Sequence, residues 1–297
     1  MYFILIGFVV MLVIGLGTGT YVRNMAWKTE KILMEDIIQK EPKAGRAYHN
    51  LAFGYYERIG NFDKAKQLYK KANKLPHHSR DSAPQPLFNL GSIHEKQNEF
   101  QKTLEYWKRA LEIYPEHQKI RFSLARFYAK KMNMPKKAEA CLQPLLSEHP
   151  NKAKALNLKG YILLAQEKPE KSLNYFKRCF QQKAASKNLF ANMGKAHALL
   201  NNYSLAEFFF KQAYSKSQRD INLVLWLIHT ALATQDKSDL ERFTELVTEK
   251  AHMAKIQSGL ETLKNRDLMP EKSQKKIKDL LADRFQKQAN LAFQQEK

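Results

Sequence analysis

The chain has 297 residues, with 50 Lys and Arg against 29 Asp and Glu and a formal net charge of +21. It contains only 11 Gly and 10 Pro, a composition that favours helix throughout. Its two cysteines, Cys141 and Cys179, lack the paired spacing that would build a zinc site or a disulfide framework. The sequence therefore excludes a disulfide-stapled or zinc-stabilised domain.

The first element is an apolar run without a charged residue from Tyr2 to Val22. At about 1.5 Å per residue, roughly 21 helical residues span about 31 Å, which matches the hydrocarbon core of a bilayer. No basic segment precedes the run and no small-x-small cleavage site follows it, so a retained helix is favoured over a cleaved secretory signal. These features predict a single-pass membrane protein that contacts the lipid bilayer through residues 2–22.

Internal repetition determines the architecture of the remaining chain. The stretch "LFNLGSIHEKQNEFQKTLEYWKRALEIYP" combines small residues at Gly91 and Thr103, a large Trp107 and a closing Pro115. The small residues would let two helices approach closely, and the proline would end the second helix. The pattern recurs at Tyr48, Leu51, Ala52, Tyr55, Ala65, Tyr69 and Ala72; at Leu124, Ala125, Tyr128, Ala138, Leu142 and Pro150; at Leu156, Gly160, Leu163, Ser172, Phe176 and Cys179; and at Phe190, Met193, Gly194, His197, Ala206, Phe210 and Ala213.

These spacings resemble the tetratricopeptide repeat over about residues 45–215. The resemblance implies an all-α fold, a right-handed superhelical solenoid of paired helices, here preceded by the single membrane helix. A linker at 75–86 lengthens the step between the first two copies, which stacking tolerates. We expect a transmembrane helix at 1–22, an amphipathic junction helix at 23–44, about five repeats at 45–219, a degenerate repeat at 220–269 and a C-terminal capping helix at 270–297.

A second, weaker resemblance covers residues 21–53. Arg23, Asn24 and Trp27 after an apolar helix resemble the junction in transmembrane-and-tetratricopeptide proteins, where a glycosyltransferase-like helix bundle precedes the repeats. In that group the repeats are extracytoplasmic, whereas the positive-inside rule, applied to Arg23, Lys28 and Lys31, places them in the cytoplasm. The side of the membrane therefore stays open. Arg and Trp are also common at membrane interfaces in any family.

Tetratricopeptide arrays bind extended peptides or a partner's helix in a concave groove, and the resemblance implies such a groove here. Asn50, Asn89 and Asn192 occupy the place that presents an asparagine ladder to a peptide backbone in some family members, while Ser123 and Leu158 interrupt it. The alternative is that these asparagines are ordinary polar residues of the repeat. About half of the excess positive charge lies between Gln118 and Lys183. The predicted groove residues are Asn50, Phe88, Asn89, Lys119, Phe122, Arg126, Lys130, Lys154, Tyr161, Asn192 and Lys195.

A basic groove with aromatic interruptions favours an acidic, extended protein ligand. Solvated surface charge, lipid headgroups and nucleic acid are the alternatives, and the lack of a recognised nucleic-acid module disfavours the last. No catalytic motif, cofactor site or metal site is evident, and His77 and His78 read as a solvated loop pair. We therefore predict a membrane-anchored, non-catalytic scaffold for protein partners. The alternative is an accessory or truncated acceptor-recognition arm of a membrane glycosyltransferase.

Overall fold

The computed structural model describes most of the chain as helix. The structure describes residues 6–7, 11–16, 18, 29–76, 79–217, 220–250, 269 and 271–295. For residues 248–250 and 287–295 it describes the backbone alone. Contacts divide the chain into an N-terminal unit, Met1–Arg121, and a C-terminal unit, Phe122–Lys297. The labelled helices are α1 Glu30–Lys40, α2 Gly45–Leu51, α3 Phe62–Asn73, α4 Gln85–Lys96, α5 Phe100–Ile113, α6 Gln118–Lys130, α7 Pro135–Glu148, α8 Ala153–Ala165, α9 Pro169–Gln181, α10 Lys187–Leu199, α11 Tyr203–Ser215, α12 Ile221–Thr234, α13 Lys237–Lys250 and α14 Glu271–Gln295.

The predicted membrane helix lies mostly outside the described residues, because only 6–7, 11–16 and 18 of the first 22 are described. Within the described part of the chain, no helix has both the length and the apolar character needed to cross a bilayer. Helix α14 has 25 residues but is rich in charge. Helix α12 is apolar but has 14 residues, and so spans about 21 Å of the roughly 30 Å required. The predicted single-pass localisation, with residues 2–22 in lipid, is therefore contradicted.

The N-terminal unit consists of helices packed in sequence order. Helix α1 contacts α2, α2 contacts α3, α3 contacts α4 and α4 contacts α5. A π-helical turn at Ala52–Tyr56 continues α2. Asn61 begins α3 as an N-cap, since its side chain accepts a hydrogen bond from the Lys64 backbone N–H. The two helix pairs, α2 with α3 and α4 with α5, coincide with the first two predicted repeats.

The C-terminal unit repeats the same arrangement from α7 to α13, with each helix contacting the next. In addition, α8 contacts α10, so the first helices of successive pairs lie side by side. Helix α14 packs on both α12 and α13 and contributes buried Ile277 and Leu281 to their core. The all-α repeat class is confirmed in the described residues, whereas the predicted domain limits stay predictions.

A small residue on the first helix of a pair meets an aromatic ring on the second. A Cβ at Gly194 would lie 2.7 Å from the ring of Phe210, and at Gly91 and Gly160 it would overlap the rings of Trp107 and Phe176. All three rings are fully buried. The pattern of small and large residues in the sequence therefore describes a direct contact between paired helices.

One core position departs from the pattern. Lys159 takes the place, directly before the small residue, that Leu90 and Leu124 occupy in other copies, and it is 6 % exposed. Its ammonium forms an ion pair with Glu139 on α7, and Gln166 donates a second hydrogen bond to that carboxylate at 3.0 Å. Hydrogen bonds from Lys159 and Gln166 lower the pKa of Glu139. Burial of this lysine is thus tolerated because its charge is paired.

We expect Gly194→Leu to destabilise the C-terminal unit, because the added side chain must displace the Phe210 ring. Overpacking of this kind costs about 1–3 kcal/mol or more. The exposed Gln212→Leu on α11 is the matched control, since it adds apolar volume without entering the helix contact. Thermal unfolding should show a lower midpoint for Gly194→Leu alone. Equal midpoints for parent and Gly194→Leu would contradict the pairing of α10 with α11.

The buried His229 should make stability depend on pH. Burial lowers its pKa from the ordinary 6.5 to about 4, so between these values the unfolded chain binds a proton that the folded chain does not. Stability therefore falls as pH drops from 6.5 towards 4, by on the order of 3 kcal/mol from this residue. His229→Phe, which retains a ring against Tyr203 and Trp226, should flatten the pH dependence of chemical unfolding. His149→Phe at an exposed position should not, and equal pH slopes for all three proteins would contradict this assignment.

Candidate functional site

The C-terminal unit contains an open groove of about 650 Å³. Helices α6, α8 and α10, Cys179 near the end of α9 and the loop between α9 and α10 line it. Of the predicted site residues in this unit, all but Lys195 face this groove. Its lining comprises Phe122, Arg126, Lys130, Ala153, Lys154, Asn157, Leu158, Tyr161, Cys179, Lys183, Ala184, Ala185, Ser186, Asn188 and Asn192.

The groove is positively charged. Arg126, Lys130, Lys154 and Lys183 line it, and none of the described lining residues is Asp or Glu. Arg126, Lys130 and Lys154 are exposed to solvent. Lysine and arginine gathered on a concave surface raise the local concentration of anionic ligands. The charged side chains in the described lining are therefore all cationic.

Aromatic and apolar side chains form the groove's floor. Tyr161 is 7 % exposed and Leu158 is 5 % exposed, while Phe122 is half-buried. The Lys130 ammonium lies over the Tyr161 ring, 4.8 Å from its centroid, a favourable cation–π arrangement. The ring thus holds Lys130 at the wall of the groove.

Two asparagines in the groove are hydrogen-bonded to each other. Asn192 Nδ2 donates to Asn157 Oδ1 at 2.9 Å, and Asn192 is 6 % exposed while Asn157 is half-buried. This bond joins α8 to α10 across the groove. It leaves the Asn157 NH2 group and the Asn192 carbonyl as a neighbouring donor and acceptor.

Lys195 lies apart from the lining of this groove. It is 8 % exposed, and its ammonium lies 6.0 Å from the centroid of the Trp226 ring. Its stem is therefore part of the packing between α10 and α12.

In the N-terminal unit, the predicted residues Phe88 and Lys119 contact each other. The Lys119 ammonium lies 5.0 Å from the Phe88 ring centroid. Phe88 is 6 % exposed and stacks on Trp107 at 5.7 Å, so its ring mainly serves the core. Lys119 is exposed.

The two predicted asparagines of this unit differ in environment. Asn89 is 8 % exposed, and its Nδ2 lies 3.0 Å from His49 Nε2 and 3.2 Å from the Tyr69 hydroxyl. Burial and the Glu57 carboxylate raise the pKa of Tyr69 well above its usual range. Asn50 is half-buried and lines a separate pocket of about 370 Å³.

Sequence reasoning missed several lining residues of the groove, among them the polar Asn157, Lys183 and Asn188. For Asn157 and Asn188, the position relative to the small residue of the repeat was a usable signal. Asn157 stands three residues before Gly160, as Phe122 does before Ala125, and Asn188 stands six before Gly194, as Lys154 does before Gly160. Lys183 follows the end of α9 in a loop with a positive φ of 55°, where no repeat spacing would identify it.

No group of three His, Cys, Asp or Glu side chains with the geometry to hold a metal ion occurs among the described residues. His77 and His78, considered above as a loop pair, lie outside the described residues. Cys179 lies at the groove but is 2 % exposed, and its Sγ donates to the Ala153 carbonyl at 3.2 Å. Burial raises the pKa of its thiol, which disfavours the reactive thiolate.

Family models described as tetratricopeptide repeat match residues 45–76, 84–117 and 128–186. Protein O-mannosyl-transferase TMTC1 of Homo sapiens is 24% identical over 128 residues, which is 43% of this chain and 14% of that protein. The chain thus spans about one seventh of this relative's length.

Solved structures share the fold at low sequence identity. PilW, a widely conserved type IV pilus biogenesis factor, gives a TM-score of 0.61 at 18% identity, covering 69% of this chain and 92% of PilW. YrrB, a tetratricopeptide protein with an unusual peptide-binding site, gives 0.50 at 19% identity, covering 68% of this chain and 97% of YrrB. The family models thus place tetratricopeptide repeats within residues 45–76, 84–117 and 128–186, and the solved structures show that the fold is shared.

Proposed function

We propose that this chain is a non-catalytic scaffold whose C-terminal groove binds an extended, acidic polypeptide. The observation that carries the proposal is the groove's lining: four cationic side chains, an aromatic floor and a pair of asparagines, without a carboxylate among the described lining residues. Tetratricopeptide repeats serve protein interactions in general, and YrrB has a peptide-binding site by its description. A polypeptide is therefore the class of partner that the fold and the lining favour together.

The lining contributes in two ways. Arg126, Lys130 and Lys154 attract carboxylates through a field that salt screens over about 8 Å at physiological ionic strength. The Asn157–Asn192 pair offers a donor and an acceptor that any peptide unit can use. Charge would thus select an acidic segment, and the amides would hold its backbone without regard to side chains.

A nucleic acid is less suited to this groove. Single-stranded nucleic acids bind where bases stack on exposed aromatic faces. Tyr161 is 7 % exposed, and the Lys130 ammonium already lies over its ring. The groove therefore lacks an open platform for stacking a base on Tyr161.

Charge reversal tests the electrostatic contribution. We expect the triple variant Arg126→Glu, Lys130→Glu and Lys154→Glu to weaken binding of a fluorescein-labelled decaglutamate peptide at least tenfold at low salt, with a smaller loss at high salt. Fluorescence anisotropy measures the affinity. A control with the same change in net charge reverses the exposed Lys136, Lys171 and Lys177 and should lose no more than about threefold. Equal losses for both triple variants would show that net charge, rather than this groove, attracts the peptide.

The asparagine pair is tested separately. Asn157→Ala should weaken binding of the same peptide by a similar factor at every salt concentration, because a lost hydrogen bond of about 0.5–1.5 kcal/mol is little affected by screening. The exposed Asn174→Ala on α9 is the control. Unchanged affinity for Asn157→Ala would remove the pair from the binding surface, while the charge-reversal result would still stand by itself.

A second candidate is acceptor recognition on behalf of a glycosyltransferase, favoured by the similarity to TMTC1. Both candidates require an extended polypeptide in the groove, and they differ in the fate of that polypeptide. Partners are first identified by capture with this chain. Mass spectrometry then compares their glycosylation in cells with and without the chain, which distinguishes the two candidates. Loss of partner glycosylation in the absence of the chain supports acceptor recognition, and unchanged glycosylation supports the scaffold.

A further inference from the structure

The outer face of helix α11 carries large apolar side chains at places where the second helices of the other copies do not. In the first four copies, the residue directly before the small residue of the second helix is an exposed lysine, and the residue two positions after it is small or polar. These residues are Lys64 and Gln67, Lys102 and Glu105, Lys137 and Ala140, and Lys171 and Asn174. In α11, Leu205 and Phe208 occupy the two places. The repeat itself therefore does not require apolar residues there.

Leu205 and Phe208 form an exposed apolar surface. Leu205 is 49 % exposed and Phe208 is 53 % exposed. The Phe208 ring contacts the Phe209 ring edge to face, with 5.3 Å between the centroids, and the opposite side of the helix is buried. Residues three positions apart on a helix are neighbours, so Leu205 and Phe208 lie on one face. Exposed apolar surfaces of this kind mark contact sites.

The same face has almost no net charge. The exposed neighbours of Phe208 along the helix include Ser204, Gln212 and Ser215. The charged residues of α11 are Glu207 and Lys211, which form an ion pair at 2.6 Å, and Lys211 also pairs with Asp239 on α13. Phe208 thus lies at the centre of a face whose remaining exposed groups are hydroxyls, an amide and one paired ammonium.

A face of this kind fits a second copy of the chain. Each copy carries a formal net charge of +21, and like charges oppose approach, so self-contact is most favourable where no unpaired charge is exposed. An acidic protein or an anionic lipid surface would instead be matched by exposed, unpaired lysine or arginine. Helix α11, which is described throughout, has Lys211 as its single lysine, and that lysine is paired. A second copy offers the same uncharged surface and the same apolar residues to bury.

We propose that the outer face of α11 is a self-association surface, at which two copies of this chain pair antiparallel about a two-fold axis through Phe208. A two-fold contact uses the same residues on both copies. Ser204 and Gln212 each lie four positions from Phe208, so the antiparallel arrangement brings Ser204 of one copy opposite Gln212 of the other, where hydroxyl and amide can hydrogen-bond. The antiparallel arrangement also opposes the helix dipoles.

This inference goes beyond the proposed binding of a polypeptide and does not depend on it. The described lining of the groove contains no residue of α11. Self-association can therefore be measured without a ligand, and its failure would leave the groove untouched.

Phe208→Glu in the full chain tests the surface. We expect its dimer dissociation constant, measured by sedimentation velocity over a concentration series, to rise by about tenfold or more, because a carboxylate replaces the central apolar contact. Phe180→Glu is the matched control, since Phe180 is 49 % exposed in the same unit and the change in net charge is identical. Both variants reduce the repulsion between copies, so weaker association of Phe208→Glu alone must come from the contact. A parent chain that stays monomeric, or equal association of parent and Phe208→Glu, would overturn the proposal.

Disulfide cross-linking locates the contact. Phe208→Cys should give a covalent dimer on a non-reducing gel after mild oxidation, because a two-fold axis through position 208 brings the two new thiols together. Phe180→Cys is the control, and both variants retain Cys141 and Cys179 as a common background. Equal dimer yields from the two variants would contradict the assignment to α11.

Paired substitutions test the orientation. In an antiparallel contact, Ser204→Glu with Gln212→Lys on one chain places opposite charges across the axis, and association should be retained. Ser204→Glu with Gln212→Glu places like charges there, and association should weaken by about tenfold or more although the net positive charge of the chain falls. Equal weakening by both double variants in the same sedimentation assay would overturn the antiparallel pairing.

Discussion

The structure depends on a close contact between a small residue on one helix and an aromatic ring on the next. Gly91, Gly160 and Gly194 lie so near Trp107, Phe176 and Phe210 that a Cβ would collide with the rings. The contact brings paired helices together, and all three rings are fully buried. It therefore sets which face of each first helix remains available for a ligand.

The groove of the C-terminal unit follows from that constraint. Because α8 and α10 lie side by side, residues at equal distances from their small residues meet on one surface. Lys154 and Asn188, each six positions before a glycine, line the same groove. The residue type can thus vary at these positions while the glycine contact is kept. Charged and amide side chains therefore fit there without disturbing the core.

The repeats were predictable because the residues that form the glycine contact, and those that end each helix pair, recur at regular spacings in the sequence. The groove was predictable in part, since Arg126, Lys130 and Lys154 occupy exposed faces of first helices. Asn157 was missed although it stands as far before Gly160 as Phe122 stands before Ala125, and its hydrogen bond to Asn192 depends on two side chains that meet across different helices. The buried Lys159 and the bonds around Tyr69 could not be predicted, because they depend on side chains meeting across different helices. The predicted single-pass localisation was contradicted, since no helix in the described part of the chain could cross a bilayer.

We propose that the groove lined by α6, α8 and α10 is the surface that binds a partner polypeptide. Site-specific photo-cross-linking tests it most directly, with p-benzoylphenylalanine placed at Tyr161 in the groove or at the exposed Phe208 on α11. We expect the probe at 161 to cross-link the decaglutamate peptide and excess unlabelled peptide to suppress that product. The probe at 208 should give little product. Equal or greater cross-linking from position 208 would contradict it.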